Sequence, residues 1–224
     1  MAKKDWKLKG RKPVRHKKIK GLIKRLTIPL GVEMDLSTTF LETANFGPWR
    51  MLIVDKSPLG MEVDDADGET IAFPTLRGIL AWNPTLKWCE VDHGAIPFLM
   101  NGADCMAAGI HNACGCIQTG DLIWIRDQSH GKPLAIGWAM MNSEDMVEAT
   151  KDKAVKMLHH IGDELWELEL YHSTLRTLMA LGPFGPSPTS NSTESPSSIL
   201  PSTFVMWTNK SPSPSRSMNP KPFD

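Results

Sequence analysis

The sequence predicts an α+β protein: a small mixed unit, then a mostly-β barrel or sandwich, then a tail without packed structure. Three observations point there. An apolar helical stripe lies among lysines near the start. Short strand-like runs, punctuated by Gly, Asp-Gly and Pro turns, occupy much of residues 50–169. Beyond residue 169, Pro and Ser supply 21 of 55 positions and no apolar period survives. The 224 residues suffice for one ordinary domain or two small ones, and 41% apolar content suffices for a core.

Each element has its own signal. Residues 1–15 read as a flexible basic arm. Ile19, Leu22, Ile23 and Leu26 then fall at i, i+3, i+4 and i+7, one stripe of a helix that Pro29 and Gly31 end. Residues 32–86 form a small α+β unit. A strand over Arg50–Asp55 and a return strand over Glu69–Phe73 flank the turn Asp65-Ala66-Asp67-Gly68. Pro74 starts a helix through Leu76, Ile79 and Leu80, which Pro84 ends. Lys87–Asp92 is a strand leading into Gly94-Ala95, and Ala95–Met100 makes a short helix. Gly102-Ala103 turns the chain into a strand running through Ala107, Ala108, Gly109 and Ile110. Strands follow over Asp121–Asp127 and Pro133–Met141, and Ser143 caps a helix over Glu144–Ala149. Ala154–Ile161 and Glu164–Leu168 read as closing strands, and residues 170–224 read as disordered.

The net charge of zero hides a split. Residues 1–25 carry twelve Lys/Arg against Asp5 alone, about +11, whereas residues 26–169 sum to about −13. A basic segment on an acidic body points to a polyanion. Arg11, Lys12, Arg15, Lys17 and Lys18 are its candidate contacts. No apolar run reaches the 18 or so residues of a membrane span, and the start is too charged for a secretory signal. A cytoplasmic setting without a membrane partner is therefore expected.

Several chemistries are set aside. His111, Cys114 and Cys116 are close in sequence, but a structural zinc needs four ligands, usually paired, and inert thiols are expected. Asp64, Asp65 and Asp67 lack the later Glu of a calcium loop and read as a solvated turn. His159, His160 and Asp163 read as one core histidine bonded to a turn and one surface histidine. Hydrolase, P-loop and dinucleotide motifs are missing, so neither catalysis nor a cofactor is expected.

Five motifs in order carry a family resemblance. They are Pro74-Thr75-Leu76, the Gly-Ala pairs of Val91–Ile110, Ile117-Gln118-Thr119-Gly120-Asp121, Lys132–Gly137 and Lys156–Trp166. Together they resemble archaeal PUA-domain proteins related to the eukaryotic malignant-T-cell-amplified and ligatin proteins. The resemblance implies a basic N-terminal helix and pre-PUA domain over 16–86, a PUA pseudo-barrel over 87–169, and the tail over 170–224. It also implies RNA binding, to tRNA or rRNA, beside the small ribosomal subunit in translation initiation or recycling. The implied RNA contacts are Gly94, Ala95, Asn101, Gly102, Ala103, Ala107, Ala108 and Gly109, where small residues let a sugar-phosphate backbone approach. The sequence departs from the family at Ala107-Ala108, where many relatives carry a basic residue and a proline. Two alternatives stay open: an accessory subunit of an RNA-modification complex, and a module whose pre-PUA domain binds a protein while RNA contact is incidental.

Overall fold

The computed structural model describes residues 6–33 and 36–168. The tail expected over 170–224 lies outside the described residues.

The first sheet begins earlier than expected. Strand β1 (Leu8–Pro13) precedes helix α1 (His16–Thr27) and a 3-10 turn over Ile28–Leu30. Strands β2 (Leu41–Phe46), β3 (Trp49–Val54), β4 (Ser57–Asp64) and β5 (Thr70–Pro74) follow, giving an antiparallel sheet in the order β1-β2-β3-β4-β5. The flexible arm expected over residues 1–15 is thus an edge strand from Leu8 onward. Lysines and a proline at an edge blunt further pairing, which is why this strand reads as a loose arm. Strand β2 was also missed. It is buried on both faces, so its pattern does not alternate. Its buried Glu42 takes a bidentate ion pair from Arg11, at 2.8 and 2.6 Å. That pair holds the Arg11 guanidinium above its ordinary pKa. The β3–β4 hairpin turns on Asp55 and Lys56, both at positive φ, as a two-residue primed turn requires.

Helix α2 (Leu76–Trp82) links this sheet to the next. Its cap is Thr75, whose Oγ1 accepts from the Gly78 N–H and donates to the Pro58 carbonyl. Gly78 lets α2 press onto β4, since a Cβ there would lie 2.0 Å from the Leu59 carbonyl oxygen.

The second sheet contains β6 (Trp88–Val91), β7 (Cys105–Met106), β8 (Ile110–Ala113), β9 (Leu122–Asp127), β10 (Pro133–Ala139) and β11 (Lys153–His160). Helix α3 (Ile96–Met100) joins β6 to β7, and α4 (Ser143–Glu148) joins β10 to β11. The spatial order is β7-β11-β10-β9-β6-β8, with β6 and β9 parallel and the other pairs antiparallel. This is the mostly-β pseudo-barrel of the expected α+β class. Four local expectations need correction. Ala107–Gly109 is a 3-10 turn rather than strand, because the Ile110 N–H bonds back to the Ala107 carbonyl. Residues 164–168 are helical, because Asp163 caps them through the Trp166 N–H. The cap of α4 is Asn142 rather than Ser143. Cys114 and Cys116 are not free thiols. Their Cα atoms are 5.3 Å apart, and they form a disulfide. Cys89 and Cys105 are inert: burial pushes both thiols up, Cys105 to about 12.

Alternation along the strands sets the layers. On β3, Leu52 and Val54 pack under α1 with Ile19, Leu22, Ile23 and Leu26. Met51 and Ile53 face the other way, into a cluster with Leu122, Trp124 and Ile136 of the second sheet. On β9, Ile123 and Ile125 turn again, into the barrel interior with Leu99 of α3. The sequence of layers is α1, first sheet, second sheet, α3. Burying each large apolar side chain of α1 contributes about 1.5–3 kcal/mol, which outweighs lysine repulsions of a few tenths each.

Candidate nucleic-acid interface

The Gly-Ala surface is built from three short segments. Strand β6 ends at Val91, and the Asp92 carboxylate then accepts from the Ala95 N–H at 2.8 Å, closing the turn at Gly94. Exposed Gly94 projects no side chain, and its amide has no hydrogen-bond partner among the described residues. Helix α3 follows, with Pro97 in its first turn.

The end of α3 is the second segment. The Ala103 N–H donates to the Phe98 carbonyl and the Gly102 N–H to the Leu99 carbonyl, the two bonds of a Schellman termination. Gly102 supplies the left-handed residue at φ +76°, and a Cβ there would lie 2.9 Å from His160 Nε2. Asn101 is exposed, and its side-chain amide donates to the Pro97 carbonyl at 2.9 Å.

The third segment is the 3-10 turn Ala107–Gly109. The Asp92 N–H donates to the Gly109 carbonyl at 3.1 Å, tying this turn to the first. A Cβ on Gly109 would stand 3.0 Å from the Ala95 Cβ. Ala95 and Gly109 therefore meet, with Gly94 next to Ala95 in the chain and exposed Ala108 next to Gly109. Ala107 is buried and supports the surface from beneath. Phe98 on α3 is 67% exposed, an apolar ring left in solvent beside a nearly side-chain-free surface. Sequence reasoning did not single it out, although Phe between two Gly-Ala pairs was the available signal.

Carboxylates close to this surface are engaged. Asp104 receives the Lys153 ammonium at 2.6 Å and the Met157 N–H at 2.7 Å. Burial pushes its pKa up, but the Lys153 bond and the Met157 amide together hold it below the ordinary carboxylate range. His159 is the expected core histidine, buried with Nδ1 2.7 Å from Asp163, but His160 is half-buried rather than on the surface, because it packs beside Gly102. No group of metal-ligating side chains occurs among the described residues.

The basic candidates lie elsewhere. Arg11 is held by Glu42, and Lys12 stands opposite Thr43 on the edge strand. Arg15 caps α1, and Lys17 and Lys18 are exposed on it. Since α1 and α3 cover opposite sides of the two packed sheets, the basic residues and the Gly-Ala surface do not form one site.

The second sheet and its Gly-Ala turns define a PUA-type module, and the PUA domain family matches residues 87–161. The chain is 40% identical over 129 residues to an uncharacterised protein of Methanocaldococcus jannaschii, covering 58% of this chain and 76% of that protein. It is 27% identical over 123 residues to translation machinery-associated protein 20 of Saccharomyces cerevisiae, covering 49% and 68%. A hypothetical protein from Pyrococcus horikoshii superposes with a TM-score of 0.60 at 30% identity, covering 71% of this chain and 99% of that one. This chain belongs to the PUA-domain proteins, the family its motifs resemble.

Proposed function

We propose that this protein binds RNA and serves the translation machinery, by binding rather than by catalysis. The observation that carries the reading is the meeting of Ala95 and Gly109, with Gly94 and Ala108 exposed next to them in the chain. Such a surface lets a ribose-phosphate chain reach main-chain donors and acceptors, and 2′-hydroxyls can pair with them. Gly94 brings a free amide, Asn101 and Ala103 line the end of α3, and Phe98 offers a ring on which a terminal base stacks. A single-stranded 3′ end fits this geometry better than a duplex, whose bases are already stacked.

Family membership supports RNA as the ligand, and the yeast relative's name supports translation as the setting. The proposed site of action is cytoplasmic, at tRNA beside the small ribosomal subunit, in initiation or recycling. No helix among the described residues is long and apolar enough to cross a membrane. The first unit is the proposed place for any protein partner.

The test is binding of the purified chain to tRNA with and without its 3′ CCA end, at about 0.15 M salt. Binding that requires the CCA end is expected. Equal binding to both forms refutes the 3′-end grip, and recovery of a stable protein partner after nuclease treatment, with no RNA affinity, refutes the RNA reading.

A further inference from the structure

Helix α1 carries Lys17, Lys18, Lys20, Lys24 and Arg25 and has no acidic residue. Like charges at i, i+3 and i+4 oppose helix formation, so this composition needs a reason. Several other cations are matched: Arg25 of the same helix and Arg50 converge on Glu62, Arg126 meets Glu90, Lys87 meets Asp121 and Lys153 meets Asp104. Among the described residues Lys17, Lys18, Lys20 and Lys24 form no ion pair, and all four are exposed.

Gly21 sits among them. It is exposed in mid-helix, its φ is ordinary for a helix, and a Cβ there would meet nothing within 4 Å. Neither backbone strain nor packing calls for glycine, the least favourable helix residue after proline. Its neighbours on the helix surface, at i−4, i−3, i+3 and i+4, are Lys17, Lys18, Lys24 and Arg25. Bare backbone framed by cations is the shape that admits a close-lying anionic chain. Strand β1 extends the field. Lys9 and Lys12 stand opposite Asn45 and Thr43, and Thr43 also pairs with Leu52, a row on the α1 side of the sheet.

We propose that α1 is a second RNA-binding face, on which a phosphate backbone crosses the helix at Gly21 between Lys17, Lys18 and Lys24. The proposal rests on the RNA-binding reading above but uses a different surface. Because α1 and α3 lie on opposite sides of two sheets, the protein is a bridge: one RNA segment sits on each side. With packed layers about 10 Å apart, the two faces are separated by roughly 30 Å. A lipid surface fits less well, since the apolar stripe that would enter a bilayer is already buried against the first sheet.

The experiment measures binding of the full chain to three probes: a blunt RNA duplex, a single-stranded RNA with a free 3′ end, and anionic vesicles. Gly21→Gln is expected to weaken duplex binding about tenfold, by blocking close backbone approach. The same variant keeps its affinity for the 3′-end probe and does not melt lower, since Gln is a better helix former. Lys17→Gln with Lys24→Gln is expected to lower the salt slope for the duplex by about 1.8. Unchanged duplex affinity and salt slope in these variants overturn the proposal. So does a wild-type chain that binds the 3′-end probe but not the duplex, or that prefers the vesicles. A chain that binds the duplex through α1 and ignores the 3′ end supports this face and refutes the Gly-Ala grip instead.

Discussion

Gly109→Ala tests the Gly-Ala surface with a single added methyl. The backbone tolerates it, because Gly109 is not at positive φ. The new Cβ would stand 3.0 Å from the Ala95 Cβ, whereas carbons rest at about 3.5–4.0 Å. The two turns must therefore part by a few tenths of an ångström. Overpacking of this kind costs about 1–3 kcal/mol. At this chain size each kcal/mol is about 2–4 °C, so the melting temperature falls by roughly 2–12 °C. The same displacement takes the Gly94 amide out of register with bound RNA. Loss of one hydrogen bond to a charged group is worth about 1.5 kcal/mol, close to tenfold in affinity. Thermal melts and fluorescence anisotropy with a 3′-ended RNA measure the two effects. Gly115→Ala is the control, because a Cβ there meets nothing within 4 Å. If Gly109→Ala melts and binds like that control, the close meeting of the two turns is not what shapes the site.

Further predictions concern stability. Burial pushes the carboxyls of Asp104, Asp127 and Asp163 up, but hydrogen bonds and neighbouring cations hold each below the ordinary range. A depressed folded-state pKa stabilises fully above the unfolded value of about 3.9 and ceases to do so as pH falls through the folded value. Denaturant midpoints should therefore drop below about pH 4, and Asp163→Asn should flatten that fall; an unchanged acid slope in the variant removes Asp163 from the account. Thr75→Ala removes the α2 cap and leaves the buried Pro58 carbonyl without its donor, costing about 2 kcal/mol, and Thr75→Ser should restore most of it in a urea titration. Gly78→Ala places a Cβ 2.0 Å from the Leu59 carbonyl oxygen, so its melting temperature should fall further than that of Gly109→Ala.

The local sequence carried elements whose signal is periodic or conformational. The spacing of Ile19, Leu22, Ile23 and Leu26 specified α1, because a 3.6-residue period can bury only one stripe. Asp-Gly at the β4–β5 turn and Gly102 at the end of α3 were readable because few residues adopt those backbone angles. The charge split was visible without any fold. Other features depended on partners distant in the chain. Strand β1 exists because β2 offers it an edge, and Glu42 is buried because Arg11 reaches it from that edge. Residues 164–168 form a helix because Asp163, held by His159, caps them. Above all, the order of the layers was not written in any window of sequence. Only the packing of Leu52 one way, and of Met51 and Ile53 the other, sets the lysines of α1 and the Gly-Ala turns on opposite sides of the protein. The local sequence determined that the chain has a basic element and a run of small residues; side-chain alternation across two packed sheets decided that they lie on separate faces.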